Sequence, residues 1–358
     1  MSAEPPVPET RVLAVASHVV SGHVGNKIAV FAMQSLGCDV AALNTVQFSN
    51  HTGYRQWRGT RTSAEEIWDI YEGLKQSYLD NFDMMLSGYV PGAASVEAVG
   101  RIAKELRSRK AASPGDFFWV LDPVMGDNGK LYVADDVAPA YKKLLNHADL
   151  ILPNQFEAEL LSGVKIESME TLEQAIQVLH EKFEVPHVVI TSVSLSHPDH
   201  PASSLSVIGS SRTSTGQART FKIVFPCIDC YFSGTGDMFG ALMVVRMREA
   251  VTNAPDADTL LQRRAWLSDD SVAAVDLPLA RAAEKVLASM HEVLTKTCEG
   301  MEVEMKKAEA TLETHGVTGE EERAKALHLL KSRAAELRLP RNVGSLRSPT
   351  IAFRAVKM

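Results

Sequence analysis

A net positive charge is the first thing missing. The 358 residues carry 37 Lys plus Arg against 44 Asp plus Glu, a formal net charge of −7. A general nucleic-acid binder needs a net basic face, so that class is excluded. A local phosphate site built from backbone N–H groups is not. No run of about 18 apolar residues occurs, which argues against a membrane-spanning helix. No charged segment followed by an apolar core and a cleavage site opens the chain, so no secretory signal is expected. Cysteine is scarce: Cys38, Cys227, Cys230 and Cys298 are too few for a disulfide framework in a chain of this length. They fit a reducing cytosol, and the expected location is the cytoplasm, with the nucleus left open beside it. Cys227-Ile228-Asp229-Cys230 is a lone CxxC with no second ligand pair. It reads as buried or half-buried strand thiols before it reads as a redox or zinc site. Asn50-His51-Thr52 matches a glycosylation acceptor, but without a secretory signal an ordinary loop is the better reading.

What is present is a rhythm of strands and helices. Short apolar runs at Val12–Ala16, Asp39–Leu43, Met84–Leu86, Phe117–Leu121, Leu150–Leu152 and Val188–Thr191 predict strands. Leu205–Ile208, Thr220–Phe225 and Ile228–Phe232 read as further strands. Between them lie helical spacings: Gly22–Asn26 leads into an apolar helix to about Leu36. Ile67, Ile70, Tyr71, Leu74 and Tyr78 mark another. Val96, Val99, Ala103 and Leu106 follow, then Leu172, Ala175, Ile176, Leu179 and Phe183. Met238–Met247 and the series from Leu279 to Val293 complete the set. This alternation predicts an α/β fold with a central, mostly parallel sheet covered on both faces. Met1–Thr10, with three prolines and two glutamates, predicts a disordered tail. Ser194–Gly216 reads as an extended loop or insertion and Ala254–Val275 as a polar surface excursion. Glu299–Lys331 reads as a charged, solvated helix with a break near Gly316–Gly319.

In open α/β sheets chemistry sits beyond the carboxyl ends of the strands, and the unusual residues fall there. Ser17 and His18 follow the first strand, Asn44–Tyr54 (NTVQFSNHTGY) the second, and Gly88-Tyr89 the third. Asp122-Pro123, Pro153-Asn154 with Glu157, Thr191, and Gly234-Thr235-Gly236-Asp237 close four more. Seven such ends make a ligand cleft a better reading than seven coincidental turns. The sharpest is Gly234–Asp237. Glycines between a strand and an apolar helix let successive N–H groups converge, and the helix N-terminus adds positive potential, which makes an anion site. Asp237 beside it is either a helix N-cap or a base that takes a proton from an alcohol attacking a phosphoryl group. The helix dipole favours its ionised form. Other phosphate and hydrolase motifs are missing. Gly126–Lys130 is followed by Leu131 and is no Walker A loop. Neither GxGxxG, HExxH nor GxSxG occurs. Asp127-Asn128-Gly129 reads as a tight turn. His197 and His200 read as solvated.

These residues resemble the pyridoxal kinases of the ribokinase-like superfamily. The resemblance rests on Ser17-His18-Val19 with Gly22 and Gly25-Asn26, on Val46–Tyr54 (VQFSNHTGY), on Asp122–Asp127 (DPVMGD), on Pro153–Gly163 (PNQFEAELLSG), on Val189–Ser192 and on Gly234–Asp237. It runs from about Arg11 to Arg248, with weaker echoes at Ala335–Leu339 and Thr350–Val356. It implies a three-layer α/β/α fold and ATP-dependent phosphorylation of the 5′-hydroxymethyl group of pyridoxal, pyridoxine or pyridoxamine. By carry-over, Asp237 is the catalytic base, with Gly234, Thr235 and Gly236 as the anion hole. Ser17, Val46, Phe48, Thr52 and Tyr89 line the vitamer pocket with Asp237. Asp122, Asp127, Tyr132, Asn154, Glu157, Thr191, Ser192, Gly234 and Thr235 line the ATP side. Asp122, Asp127 and Glu157 lie near Mg²⁺ or another divalent cation, in part through water. The resemblance further implies a homodimer and leaves a K⁺ requirement open. It implies one kinase domain over 11–358, with insertions near 194–216, 254–275 and 299–331. Leu152 departs from the family, standing where a Thr usually precedes Pro-Asn, and Ser233 stands where Val or Thr is common. Two alternatives stay open: a hydroxymethylpyrimidine-type kinase, and a weakly active B6-binding regulatory protein.

Overall fold

A computed structural model describes residues 4–195, 201, 203–314 and 319–358, leaving aside the side chains of 308–314. Its strands are β1 (Arg11–Val19), β2 (Asp39–Phe48), β3 (Gly59–Arg61), β4 (Met84–Ser87), β5 (Phe118–Leu121), β6 (Gly126–Asp127), β7 (Lys130–Leu131), β8 (Leu150–Ile151), β9 (His187–Val193), β10 (Ser204–Arg212), β11 (Ala218–Pro226) and β12 (Val356–Lys357). Ten of them form one sheet in the order β12-β11-β10-β9-β8-β5-β4-β1-β2-β3, while β6 and β7 pair separately. The six strands from β2 to β9 run parallel, and antiparallel strands extend both edges. The central parallel strands show no alternation. In β5 all four residues of Phe-Trp-Val-Leu are buried, as a strand covered on both faces requires.

The helices are α1 (Asn26–Ser35), α2 (Ala64–Gln76), α3 (Ala93–Arg109), α4 (Val137–Lys142), α5 (Gln155–Ser162), α6 (Met169–Glu181), α7 (Thr235–Thr252), α8 (Ala257–Leu260), α9 (Pro278–Thr314), α10 (Glu320–Ala334) and α11 (Val343–Arg347). Local chemistry sets their starts. Ser63 with Glu66, Asn154 with Glu157 and Ser168 with Thr171 form reciprocal caps for α2, α5 and α6, each satisfying two otherwise unpaired N–H groups. Gly163 in the left-handed region ends α5. One apolar layer joins α1, α7 and α9 to one face of the sheet through Met33, Met238, Leu242, Ala283 and Val286. The other joins α2, α3, α5 and α6 through Tyr71, Ile102, Leu161 and Ile176. This is the three-layer arrangement the resemblance implies. No described helix is long and apolar enough to cross a membrane.

Several expectations need correction. β2 continues to Phe48, because β3 pairs with Val46–Phe48; Val46 and Phe48 are therefore strand residues two apart, sharing one face. Ile228–Phe232 is not a strand: β11 ends at Pro226 and a connector leads to α7. Residues 4–10 do not form a free tail, since Val7 joins the core and the Asp39 N–H donates to Thr10 O at 2.9 Å. The segment 254–275 is no mere surface excursion, because Trp266 is buried and stacks on Phe118 with ring centroids 4.2 Å apart. The strand expected at Leu205–Ile208 is present as part of β10 and takes up much of the loop expected over 194–216, of whose remainder 196–200 and 202, with His197 and His200, lie outside the described residues. The helix break expected at 316–319 falls between α9 and α10, where 315–318 also lie outside them. The cysteines differ most. Cys230 and Cys298 are disulfide-bonded with Cα atoms 6.2 Å apart; Cys38 is buried and Cys227 exposed. The CxxC is thus split between a bonded and a free thiol on a connector, which strand periodicity cannot reveal.

Candidate active site

The carboxyl ends of β1, β2, β4, β5, β8 and β9 and the N-terminus of α7 open on one cleft of about 1120 Å³. Every residue singled out for catalysis, vitamer, nucleotide or metal borders it: Ser17, Val46, Phe48, Thr52, Tyr89, Asp122, Asp127, Tyr132, Asn154, Glu157, Thr191, Ser192, Gly234, Thr235, Gly236 and Asp237.

At its centre lies the turn into α7. Gly234 caps that helix with φ at 81°. A Cβ there would lie 2.4 Å from His23 O and 2.7 Å from Ile28 Cδ1, so both the conformation and the close approach of the β1–α1 turn call for glycine. The first intrahelical bond runs from Met238 N–H to Gly234 O at 3.0 Å. The N–H groups of Thr235, Gly236 and Asp237 precede that ladder and belong to the positive end of the helix. Gly234, not Asp237, holds the N-cap position of α7, so the plain N-cap reading of Asp237 fails. Burial raises its carboxyl to about 6 against a hydrogen bond from the Gly25 N–H. Desolvation outweighs that bond and leaves a group that is mostly ionised at neutral pH yet basic enough to accept a proton. Gly25, φ 55°, is equally constrained, since a Cβ would lie 2.0 Å from Ser17 O.

Two further buried carboxyls line the same cleft. Asp122 is pushed well above the usual carboxylate range by burial and then by Glu157 and Asp237. Glu157 is raised to about 7 by burial, against hydrogen bonds from three backbone N–H groups. Those donors are Met125 at 2.8 Å, Gly126 at 3.3 Å and Asn154 at 2.9 Å. Asn154 Oδ1 accepts from the Glu157 N–H at 2.9 Å, and its Nδ2 donates to Gly126 O at 2.7 Å. The pair therefore does structural work at the start of α5 and fixes the strand-to-hairpin loop above Asp122. Asp127 sits on the exposed β6–β7 hairpin, whose tip Asn128-Gly129 has positive φ at both residues, the two-residue turn expected there.

The donor set suits a divalent cation only in part. Among the described residues no three His, Cys, Asp or Glu side chains converge as a direct ligand group, so Asp122, Asp127 and Glu157 do not form one. Asp122 nevertheless sits against two other carboxyls with no cation among its electrostatic neighbours. A Mg²⁺ held by one carboxylate, water and substrate phosphates fits that arrangement.

The side of the cleft where the vitamer is expected is apolar. Val19, Val24, Val46 and Phe48 form a small buried cluster with Tyr89 against it, and Thr45 Oγ1 donates to Tyr89 O at 2.8 Å. Motif reading missed the far wall. Met290 of α9 and His328, Lys331 and Ser332 of α10 line the cleft, as do His51, Arg55 and Arg61. The charged composition of 299–331 reads as solvent-facing, and only its return to the β2–β3 loop brings it here. His51, within the NHT motif set aside as an ordinary loop, was the available signal.

A pyridoxal kinase of Ovis aries is 37% identical over 298 residues, covering 81% of this chain and 86% of the relative. The chain belongs to the pyridoxal kinase family. The pyridoxal kinase of Arabidopsis thaliana is 40% identical over 236 residues, 65% of this chain and 73% of its own length. Residues 92–257 match the phosphomethylpyrimidine kinase family model. Among solved structures, a pyridoxal kinase from Leishmania donovani in complex with ADP and pyridoxamine superposes with a TM-score of 0.76 at 29% identity, covering 98% of this chain and 100% of the other. The shared fold therefore extends over nearly the whole chain.

Proposed function

We propose that this protein transfers the γ-phosphoryl group of ATP to the 5′-hydroxymethyl group of pyridoxal, and also of pyridoxine and pyridoxamine. The observation that carries the mechanism is Asp237, a carboxylate raised to about 6 at the mouth of a helix whose first N–H groups are free of intrahelical partners. In this reading the ring lies between Val46, Phe48 and Tyr89, with Ser17 and Thr52 supplying hydrogen bonds. Asp237 accepts the proton of the 5′-hydroxyl as its oxygen attacks, in line with the leaving ADP oxygen. The amides of Gly234, Thr235 and Gly236 stabilise the charge on the transferring group. Asp127, Tyr132, Asn154, Thr191 and Ser192 border the nucleotide. Asp122 is the residue best placed to hold Mg²⁺, with Asp127 and Glu157 acting through water. Bound Mg²⁺ would neutralise phosphate charge. The same reading takes the protein as a cytoplasmic homodimer and leaves K⁺ to be tested as an activator.

Steady-state turnover with ATP and Mg²⁺ tests this, comparing the three vitamers with hydroxymethylpyrimidine, each with and without K⁺. Phosphorylated vitamer as the preferred product is expected. The family-model match over 92–257 is the reason to include the pyrimidine, and preference for it would overturn the substrate assignment. Stoichiometric pyridoxal binding without phosphorylated product would overturn the kinase reading.

A further inference from the structure

Glu336 does not line the cleft, yet it ties together two turns that do. It follows α10 in the ELR echo at Glu336–Arg338, between the buried Ala335 and Leu337, so its backbone is fixed by the core. Its Oε2 accepts the His23 N–H at 2.6 Å, in the turn between β1 and α1. Its Oε1 accepts the Tyr54 hydroxyl at 3.1 Å and lies 3.1 Å from His51 Nε2, in the turn after β2. The histidine tautomer agrees. His51 Nδ1 accepts the Gly53 N–H at 3.2 Å, which leaves the ring proton on Nε2, facing the carboxylate. Gly22 permits the approach, since a Cβ there would lie 2.5 Å from Glu336 Oε1. The same turn is held from α10 as well, where His328 Nε2 lies 3.0 Å from Gly53 O. Burial alone would raise the Glu336 carboxyl. The hydrogen bonds and the proximity of His51 outweigh it and hold the carboxyl below its ordinary value, so it stays an ionised acceptor at neutral pH.

We infer that Glu336 is a positioning residue for the vitamer pocket, locking the 22–25 and 51–54 turns into one wall so that Ser17, Val24 and Thr52 present a preformed surface to the ring. It touches neither ring nor phosphate. The inference rests on the vitamer reading of the pocket given above. It also assigns a task to α10, which with Glu336 closes the wall opposite the sheet. Preorganised walls lower the ordering cost of binding, so the loss should appear in binding of the vitamer and not in the chemical step.

The experiment compares wild type, Glu336→Gln and Glu336→Ala by steady-state kinetics and by amide hydrogen exchange of the whole protein. Glu336→Ala should raise KM for pyridoxal at least tenfold, with KM for ATP within twofold and kcat within threefold. Glu336→Gln, which keeps an oxygen acceptor for the His23 N–H, should recover part of that loss. Exchange in peptides covering 20–25 and 50–56 should accelerate at least tenfold in the Ala variant while core strands stay unchanged. Equal rises in both KM values, or an active fraction lowered with both KM values intact, would show a general structural role and overturn the inference. So would unchanged exchange in the two turns. If wild type fails to phosphorylate pyridoxal, the vitamer reading falls by itself, and the exchange comparison still decides whether Glu336 locks the two turns.

Discussion

Replacing Asp237 by Asn should make the protein more stable and much less active, and the pH dependence of both effects identifies the cause. The carboxyl is held at about 6 in the folded protein instead of 3.8. At about 1.36 kcal/mol per pH unit that difference opposes folding by roughly 3 kcal/mol once the group is ionised in both states. The group is only partly covered, so ~1–3 kcal/mol is the expected range. The sign follows from the direction of the shift. A raised folded value leaves stability intact below the unfolded value near 4 and removes it as pH climbs through 6. The stabilisation from Asp237→Asn should therefore be near zero at pH 4, about half developed at pH 5 and at its plateau above pH 7. For a chain of this size that corresponds to roughly 2–5 °C in Tm at pH 8. Over the same range kcat should fall roughly 10²–10⁴-fold, as for loss of a positioned base. The acid limb of the wild-type profile near pH 6 should lose one proton's worth of slope, leaving the part set by Asp122 and Glu157. Thermal unfolding at four pH values, paired with kcat profiles, measures all of this. A Tm that is unchanged or lower at pH 8, or an activity loss below tenfold, would refute the reasoning.

Three other substitutions probe separate parts of the architecture. Gly234→Ala puts a Cβ 2.4 Å from His23 O at a φ of 81°, so thermal unfolding should show a loss of about 1–3 kcal/mol and kinetics a kcat at least tenfold lower. Asn154→Ala removes the reciprocal cap with Glu157 and the bond to Gly126 O. Denaturant titration should report a cost of roughly 0.5–2 kcal/mol, and KM for ATP should rise more than KM for pyridoxal. Cys298→Ser opens a cross-link between residues 68 apart in sequence, with an expected loss of about 2–4 kcal/mol; dithiothreitol should produce the same drop in wild type and none in the variant.

Legibility followed the range of the interactions involved. The parallel strands were readable because burial on both faces writes itself as unbroken apolar runs, as in Phe118–Leu121. The glycine turn at 234–236 was readable because its chemistry is local: a strained φ, a helix start and a neighbouring acid within four residues. The function of Glu157 was readable only in part. Its carboxyl lies in a local motif, but two of its donors, Met125 and Gly126, come from a loop more than 30 residues away, and those bonds make it a structural anchor. The far wall was not readable. Nothing in the charged stretch before Lys331 distinguishes a solvated helix from one whose end meets Gly53, because that contact joins residues 275 apart in sequence. The disulfide was hidden for the same reason, since Cys298 lies on the long helix α9 and its distance from the CxxC depends on how that helix crosses α7.

The charge arithmetic poses a problem that the site itself resolves. An acidic chain, with Asp122, Asp127, Glu157 and Asp237 around one cleft, would repel a nucleoside triphosphate if those carboxyls were all ionised and unscreened. Two features reduce that repulsion. Burial raises Asp122 and Glu157, so part of the negative charge is neutralised by protons before phosphate arrives. The α7 terminus, moreover, offers unpaired N–H groups whose partial charges are fixed in place and cost no reorganisation. Arg55, Arg61 and Lys331 on the rim supply the remaining positive potential without making the surface as a whole basic. A site built this way should lose phosphate affinity when the helix start is disturbed and keep most of it when a rim cation is removed, which is the opposite of what a basic-patch binder would do.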